Sequence, residues 1–278
     1  MEPTPTREPH EEAPGAESKI VHERVQSQFG PSAASYTTSA VHSDKDALRR
    51  VVQLAQPGRS DAALDIATGA GHTALALAPH VASVVAYDLT EQMLAETRRN
   101  AARQGITNVA TRQGIAEELP FAYASFDIVT VRHAPHHFAD IRRAVREMAR
   151  VAKPGARVVI VDSMSPEDTA LDEQWNHIEK LRDPSHVRNY RPSEWRAMLE
   201  EARLEITLEE TGAASENGGP MDFFAWTARM KTPRATVDEL AKMFRNATPA
   251  LGGVLRIETP GDAIFFRVPQ ITIAARKP

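Results

Sequence analysis

From residue 62 onward, short apolar runs alternate with stretches in which apolar residues recur every three or four positions. Residues 62–67 read as a buried strand, and a helix begins over 73–80. Residues 81–87 form a second strand, followed by a helix over 91–104 with Met93, Leu94 and Thr97 on one face. A short third strand covers 109–113 and a fourth 126–131. A helix over 139–151 then leads, through the turn Lys153-Pro154-Gly155, into a fifth strand at 156–163. Strands that alternate with amphipathic helices predict right-handed crossovers and a parallel sheet covered on both faces.

The flanks behave differently. Residues 19–56 are helical in two pieces broken near Gly30-Pro31. The second piece starts from a Ser43-Asp44 cap and runs to Gln56, with Ala47, Leu48, Val51, Val52, Leu54 and Ala55 at helical spacing. After residue 164 the rhythm breaks. Ser165-Pro166-Glu167-Asp168 reads as a helix start, with Leu171, Trp175, Ile178 and Leu181 on one face. A helix over 193–202, a strand over 204–209, a Gly-rich loop over 212–220, a helix over 236–246 and a long strand over 263–275 follow. Residues 1–18 hold four prolines and five glutamates with little to bury, the composition of a disordered tail. The expected organisation is that tail, lid helices over 19–56, a nucleotide-binding core over 57–164, a cap insertion over 165–203, and a C-terminal part of the sheet with substrate-pocket helices over 204–278.

Composition narrows the chemistry. At 278 residues, 42% of them hydrophobic, the chain can build one large domain with an appended cap. With no cysteine, disulfides, thiolate metal sites and thiol nucleophiles are excluded. A formal charge of −4 gives no general attraction for nucleic acid. No uncharged apolar run reaches the roughly 18 residues a membrane helix needs, and no apolar signal-peptide core follows the N-terminus. A cytoplasmic protein that binds neither nucleic acid nor membrane is expected; a homodimer is compatible with the sequence.

The segment Leu64-Asp65-Ile66-Ala67-Thr68-Gly69-Ala70-Gly71-His72-Thr73 takes a strand through a glycine-containing turn into a helix. Gly69 and Gly71 allow a sharp bend and close approach of backbone to ligand, and the amides at the helix start can receive a carboxylate. The same residues fit the GxGxx(G/A) fingerprint of a dinucleotide site, so an NAD-dependent oxidoreductase stays open at this point. Asp88, directly after the strand Val84-Val85-Ala86-Tyr87, can accept both ribose hydroxyls of an adenosine or cap the following turn.

The third element separates the candidates. Gly114-Ile115-Ala116-Glu117-Glu118-Leu119-Pro120-Phe121 precedes Ser125-Phe126-Asp127-Ile128-Val129, and Arg132-His133-Ala134-Pro135-His136-His137-Phe138 follows. With LDIATGAGH, VVAYDLTEQML and VAKPGARVVIVDS, these blocks resemble the ubiquinone/menaquinone-biosynthesis-type branch of class I S-adenosylmethionine (SAM)-dependent methyltransferases over roughly residues 62–165. A weaker resemblance extends through 166–210. It implies a Rossmann-like α/β fold with a seven-stranded, mostly parallel sheet, an antiparallel last strand and a helical cap. It further implies that Ala67, Gly69 and Gly71 line the methionine end of SAM and that Asp65 holds its amino group directly or through water. Asp88 would hold the ribose, Leu89 and Met93 would pack on the adenine, Ala116 and Glu117 would sit at its other edge, and Arg132 would lie beside the sulfonium. Two positions depart from the pattern. Ile115 stands where many relatives have Asp, so Glu117 or a backbone carbonyl would replace that adenine contact; Ala67 stands for the first glycine.

The implied reaction transfers a methyl group from SAM to O, N or C of a small metabolite, aromatic or of secondary metabolism, and releases S-adenosylhomocysteine. The rival within the same fold is a SAM-binding enzyme that promotes cyclisation or rearrangement without methylating. An acceptor protonated at neutral pH requires a base, and histidine suits that role. His133 and His137 are the candidates from the cluster beyond the fourth strand, with His136 given a structural role. No metal is expected, since Pro135 interrupts the i,i+4 pair His133 and His137. Phe29, Tyr36 and His42 are candidates to close over SAM. Trp175, His177, His186 and Tyr190, with Met221, Phe223, Phe224 and Trp226, are candidates to shape the acceptor pocket.

Overall fold

The computed structural model describes residues 15–37, 42–214 and 219–278. Most of the expected tail lies outside these residues, but Ala16, Glu17 and Ser18 already belong to the first helix. Three helices precede the sheet: α1 (Ala16–Phe29), α2 (Ala33–Tyr36) and α3 (Lys45–Ala55). The break at Gly30-Pro31 is a single 3-10 turn, and Asp44 caps α3 by accepting the Asp46 and Ala47 amides.

The alternating region then runs β1 (Ala62–Ile66), α4 (His72–Leu77), β2 (Ser83–Asp88), α5 (Glu91–Arg103), β3 (Val109–Gln113) and β4 (Phe126–Arg132). It continues through α6 (Ile141–Val151), β5 (Ala152–Ser163), α7 (Thr169–Arg182), α8 (Pro192–Glu201) and β6 (Glu205–Ala214). The last part holds β7 (Met221–Asp222), α9 (Phe223–Arg229), α10 (Arg234–Arg245), α11 (Pro249–Leu255), β8 (Phe265–Phe266) and β9 (Val268–Arg276).

The main sheet has seven strands in the order β3-β2-β1-β4-β5-β9-β6. The pairs from β3 to β5 are parallel, and β9 is antiparallel to both β5 and β6. This is the seven-stranded Rossmann-like sheet with an antiparallel last strand. Alternation along each strand sorts side chains between the two faces. Leu64, Ile66, Val129, Val131, Val158 and Ile160 pack with α6 and α8 on one face. Ala63, Val84, Ala86, Ile128, Val159 and Val161 pack with α3 and α4 on the other.

Two details differ from the sequence reading. The long strand expected over 263–275 is two strands. Phe265–Phe266 pairs with Met221–Asp222 in a separate two-stranded ribbon, and the Arg267 amide then donates to the Leu255 carbonyl as the chain turns onto the sheet. The expected Gly-rich loop is shortened as well, because β6 continues to Ala214 against β9; residues 215–218 lie outside the described ones. Two helices escaped the pattern. At seven residues each, α9 and α11 are too short to display a helical period, although the caps Asp222 and Thr248-Pro249 mark their starts.

A second hydrophobic core joins α7, α9, α10 and α11. Trp175, Phe223, Trp226, Phe244 and Phe266 meet in it with ring centroids 4.9 to 6.5 Å apart. The cap therefore draws on two separate stretches of chain, while α8, between them in sequence, packs on the sheet. No described helix is long and apolar enough to cross a membrane.

Candidate functional site

Strand order reverses beside β1: the chain proceeds from β1 through β2 to β3 on one side and from β4 to β5 on the other. At such a switch point the connections leave in opposite directions and open a crevice at the carboxyl ends of the strands. A cavity of about 970 Å³ lies there.

Its floor is the turn after β1. Ala67, Gly69 and Gly71 have φ of 52°, 56° and 87°, so the turn is left-handed at three of five residues. A Cβ on Gly71 would stand 2.7 Å from Thr97 Cγ2, and Gly71 is not among the residues lining the cavity. Expected at the methionine end of the cofactor, Gly71 instead lets the turn close onto α5, where Thr97 Oγ1 donates to the Gly69 carbonyl at 2.8 Å. Ala67 and Gly69 do face the cavity.

Asp65 is buried beneath this turn. Its carboxylate accepts from Thr130 Oγ1 (2.7 Å), Thr68 Oγ1 (2.6 Å) and the Ala74 amide (3.1 Å). Burial raises its pKa against these donors. Asp65 thus ties β1, β4 and α4 together while lining the cavity. Asp88, at the end of β2, accepts the Gly69 amide and the Thr90 amide, both at 2.8 Å. Burial, with the nearby Asp65 charge, pushes its pKa up to about 6.

Leu89, Met93, Ala116 and Glu117 line the same cavity. Glu117, one of the two substitutes expected for the contact missing at Ile115, is already engaged. Its Oε1 accepts the Ala139 and Asp140 amides, and Oε2 lies 3.3 Å from His22 Nε2 on α1. Burial would raise this carboxyl, but His22 and the amides outweigh it and hold it below the usual range. The Ile115 carbonyl receives the Tyr87 hydroxyl at 3.0 Å. Tyr87 also explains Gly114, where any Cβ would overlap the phenol oxygen at 1.9 Å.

Arg132 ends β4 at the cavity wall. Nε donates to Thr73 Oγ1 at 3.2 Å and Nη2 to the His42 carbonyl, whereas Nη1 is buried with no partner among the described residues. Burial lowers this guanidinium to about 10, opposed by Asp65 and Asp44, so it stays charged near neutrality.

A second cavity, of about 680 Å³, adjoins the first. Phe29, Tyr36, His42, His133 and His137 line both. Their rings touch in sequence: His137 to Phe29 at 4.9 Å, Phe29 to Tyr36 at 5.7 Å, Tyr36 to His42 at 4.8 Å and His42 to His133 at 5.8 Å. These five rings form a collar between the chambers. The histidines in it are uncharged near neutrality. Burial, with neighbouring Arg132, Arg229 and other imidazoles, drives His42 and His133 well below the usual histidine range, and burial beside His136 lowers His137 to about 3.

The sequence reading placed the base at His133 or His137 and assigned His136 to structure. Asp183 Oδ2 lies 3.9 Å from His137 Nε2, and Asp162 Oδ1 is closer to its own partner, 2.6 Å from His136 Nδ1. Burial pulls the His136 pKa down, but the Asp162 charge outweighs it and raises it above the ordinary value. Asp162 stands one residue before the end of β5, an acid near a strand end like the signal that pointed to Asp88.

Several cap residues were expected at the acceptor pocket. Of these, Met221 and Trp226 line the second cavity. Trp175 and Phe223 are in the cap core, Tyr190 packs against the main core, and His177 and Phe224 are exposed. His186 is buried and donates Nε2–H to Asn176 Oδ1 at 3.2 Å. Periodicity marks a side chain for burial without saying in which core. Residues missed altogether include His22 and Val25 in the first cavity and Arg182, Arg229 and Gln270 in the second.

Residues 64–160 match the family described as "Methyltransferase domain". The chain is 40% identical to the uncharacterized methyltransferase YcgJ of Bacillus subtilis over 74% of its own length and 79% of that protein. The crystal structure of YcgJ superposes with a TM-score of 0.77 at 36% identity, covering 84% of this chain and 98% of that one. A putative methyltransferase from Bacillus halodurans gives 0.79 at 36% identity, covering 83% and 98%. A demethylmenaquinone methyltransferase of Halalkalibacterium halodurans is 31% identical over 58% of this chain and 65% of that protein. With the [4+2]-cyclase SpnF the likeness is one of fold alone, at 16% identity and a TM-score of 0.60, covering 84% of this chain and 80% of that one. A switch-point cavity with two carboxylates at its strand ends, in a sheet shared with these relatives, places the chain among the class I methyltransferases that carry this domain.

Proposed function

We propose that the protein transfers a methyl group from SAM, bound in the first cavity, to a small molecule in the second. The observation that carries this reading is the collar of five uncharged rings between two joined chambers. Aromatic faces attract a ligand cation, while a protonated imidazole would repel it, so rings held neutral by burial suit a sulfonium at the junction.

The other residues fit the remaining parts of the cofactor. Arg132 Nη1, buried with no partner among the described residues, is a donor for the amino-acid carboxylate, and the Asp65 carboxyl is an acceptor for the amino group. Asp88 has two oxygens at the cavity for the ribose hydroxyls, and Leu89 and Met93 offer apolar surface to the adenine. When bound, SAM supplies a methyl group activated by its sulfonium. The chain's own contribution is to align the acceptor, exclude water behind α1 and α2, and keep the collar free of charge. The rival of SAM-assisted cyclisation draws only on the shared fold with SpnF.

Calorimetry with SAM, S-adenosylhomocysteine and NAD tests the cofactor. Binding of the first two and not the third is expected; retention of NAD alone would overturn the reading.

A further inference from the structure

If the second cavity receives the acceptor, the His136–Asp162 pair lies in its wall with no part yet assigned. Asp162 is fully buried, and its Oδ2 accepts the backbone amide of His136 at 2.9 Å, so the carboxylate grips both ring and backbone of one residue. The His136 side chain keeps 17% of its surface exposed and lines the cavity. A carboxylate at Nδ1 fixes the tautomer with its hydrogen there and leaves Nε2 as the proton acceptor. Beside the pair are Ser163, which also lines the cavity, and the buried Asn189. Ser163 Oγ donates to Asn189 Oδ1 at 2.5 Å, and the Asn189 amide donates to Asn176 Oδ1 at 2.6 Å.

We propose that the acceptor is a hydroxyl compound with an apolar portion, and that His136, held by Asp162, takes the hydroxyl proton as its oxygen is methylated. Met221, Trp226, Met230 and Val268 give the chamber an apolar surface, and His136, Gln270, Glu179, Arg182, Asp183 and Arg229 give it a polar and charged one. A hydroxyl that attacks carbon while keeping its proton ends as a strongly acidic oxonium, so a base present in the transition state matters most for this acceptor. A neutral amine already offers its lone pair. In the balanced step the O–C bond forms as the S–C bond breaks. The electron pair of the broken bond stays on sulfur as the neutral thioether, and the hydroxyl proton passes to Nε2. Asp162 compensates the imidazolium charge; Asp162, Ser163 and Asn189 are positioning residues. The groups around His136 are Asp162 from β5, Glu179 and Arg182 on α7, Asp183 after it, and the imidazoles of His133, His137 and His186.

The assignment rests on the cofactor reading above, and the experiment separates the two. The full chain is incubated with methyl-labelled SAM and three probes of similar shape: 2-naphthol, 2-decalol and 2-naphthylamine. Label on the oxygen of a hydroxyl probe, in excess of label on the amine, is expected. His136→Gln should lower O-methylation about a hundredfold or more while SAM affinity holds. Asp162→Asn should move the acid limb of the rate–pH profile to lower pH, which a merely structural role would not do. Should that variant fail to fold, imidazole ¹⁵N spectra of the wild-type protein with S-adenosylhomocysteine replace it: the Nδ1–H tautomer is expected, and the Nε2–H tautomer overturns the assignment. Label on nitrogen or carbon only, no label on either hydroxyl probe with SAM bound, or O-methylation that survives His136→Gln with its pH profile intact would each overturn it too. Absence of SAM binding strikes the cofactor reading, and this one with it.

Discussion

At the scale of single residues, the first cavity is built from groups held in states they would not adopt in water. Asp88 is raised to about 6 by burial, and its ionised form is the better acceptor for two ribose hydroxyls. Ligand binding therefore stabilises the ionised form, so SAM affinity should be full above that pKa and fall as pH drops through 6. Calorimetry between pH 5 and 8 should show the decline in wild type and a flat profile in Asp88→Asn; a flat wild-type profile would remove Asp88 from the ligand. Asp88→Ala should weaken SAM tenfold or more, about 1.4 kcal/mol. Gly71 makes a different demand. Its φ of 87° and the 2.7 Å approach to Thr97 mean that Gly71→Ala combines left-handed strain with overpacking. A loss of about 2–4 kcal/mol is expected, read from the urea midpoint. A variant as stable as wild type would show that α5 yields easily at this contact.

Among elements, the division between sheet and cap matters most. The cap has its own aromatic core, in which Trp175 is fully buried between Trp226, 6.4 Å away and nearly parallel, and Phe266. Trp175→Ala should cost about 3–5 kcal/mol by leaving a large cavity. Because Trp175 touches neither the turn after β1 nor Asp88, the loss should fall on the cap. Hydrogen exchange would speed up in α7, α9 and α10 while the amides of β1 and β4 stay protected. Equal acceleration in both regions would mean that the two cores unfold as one. The helix α1 is tied over the first cavity by His22 with Glu117, Gln26 Nε2 donating to the Leu89 carbonyl, Gln28 Nε2 donating to the Met230 carbonyl, and Phe29 against Tyr36 and His137. None of its residues is buried, which suits an element that has to admit a ligand.

For the whole molecule, the buried imidazoles set the response to acid. His42, His133, His137 and His186 all have lowered pKa values, chiefly through burial. Below about pH 6.5 the unfolded chain takes up protons that the folded chain refuses, so stability falls with pH. The slope is on the order of 1 kcal/mol per pH unit for each such histidine. His136 acts in the opposite sense. Its raised pKa adds stability that is fully present below 6.5 and lost as pH rises through the folded value. The raised Asp65 and Asp88 also favour the folded state as pH falls. With His72 also lowered, five imidazoles stand against three raised groups and leave a net loss. The urea midpoint at pH 5.5 should be below that at pH 7.5, and an unchanged midpoint would contradict the burial of these rings.

Local pattern alone was enough for the β/α alternation, the turn after β1 and the acids 65 and 88, because strand and helix periods and glycine-permitted turns are properties of neighbouring residues. The same holds for the caps at Asp44 and Asp168, each of which accepts the amide of a residue three positions on. Tertiary structure decided which carboxylate each histidine meets. His136 and Asp162 are 26 residues apart and meet only because β4 and β5 are neighbours that end side by side. Tertiary structure also sorted the aromatics between a cap core and a collar, and packed Gly71 against Thr97. An apolar period says that a side chain is buried, but which surface buries it depends on segments far away in sequence, and those meet only when the chain has folded.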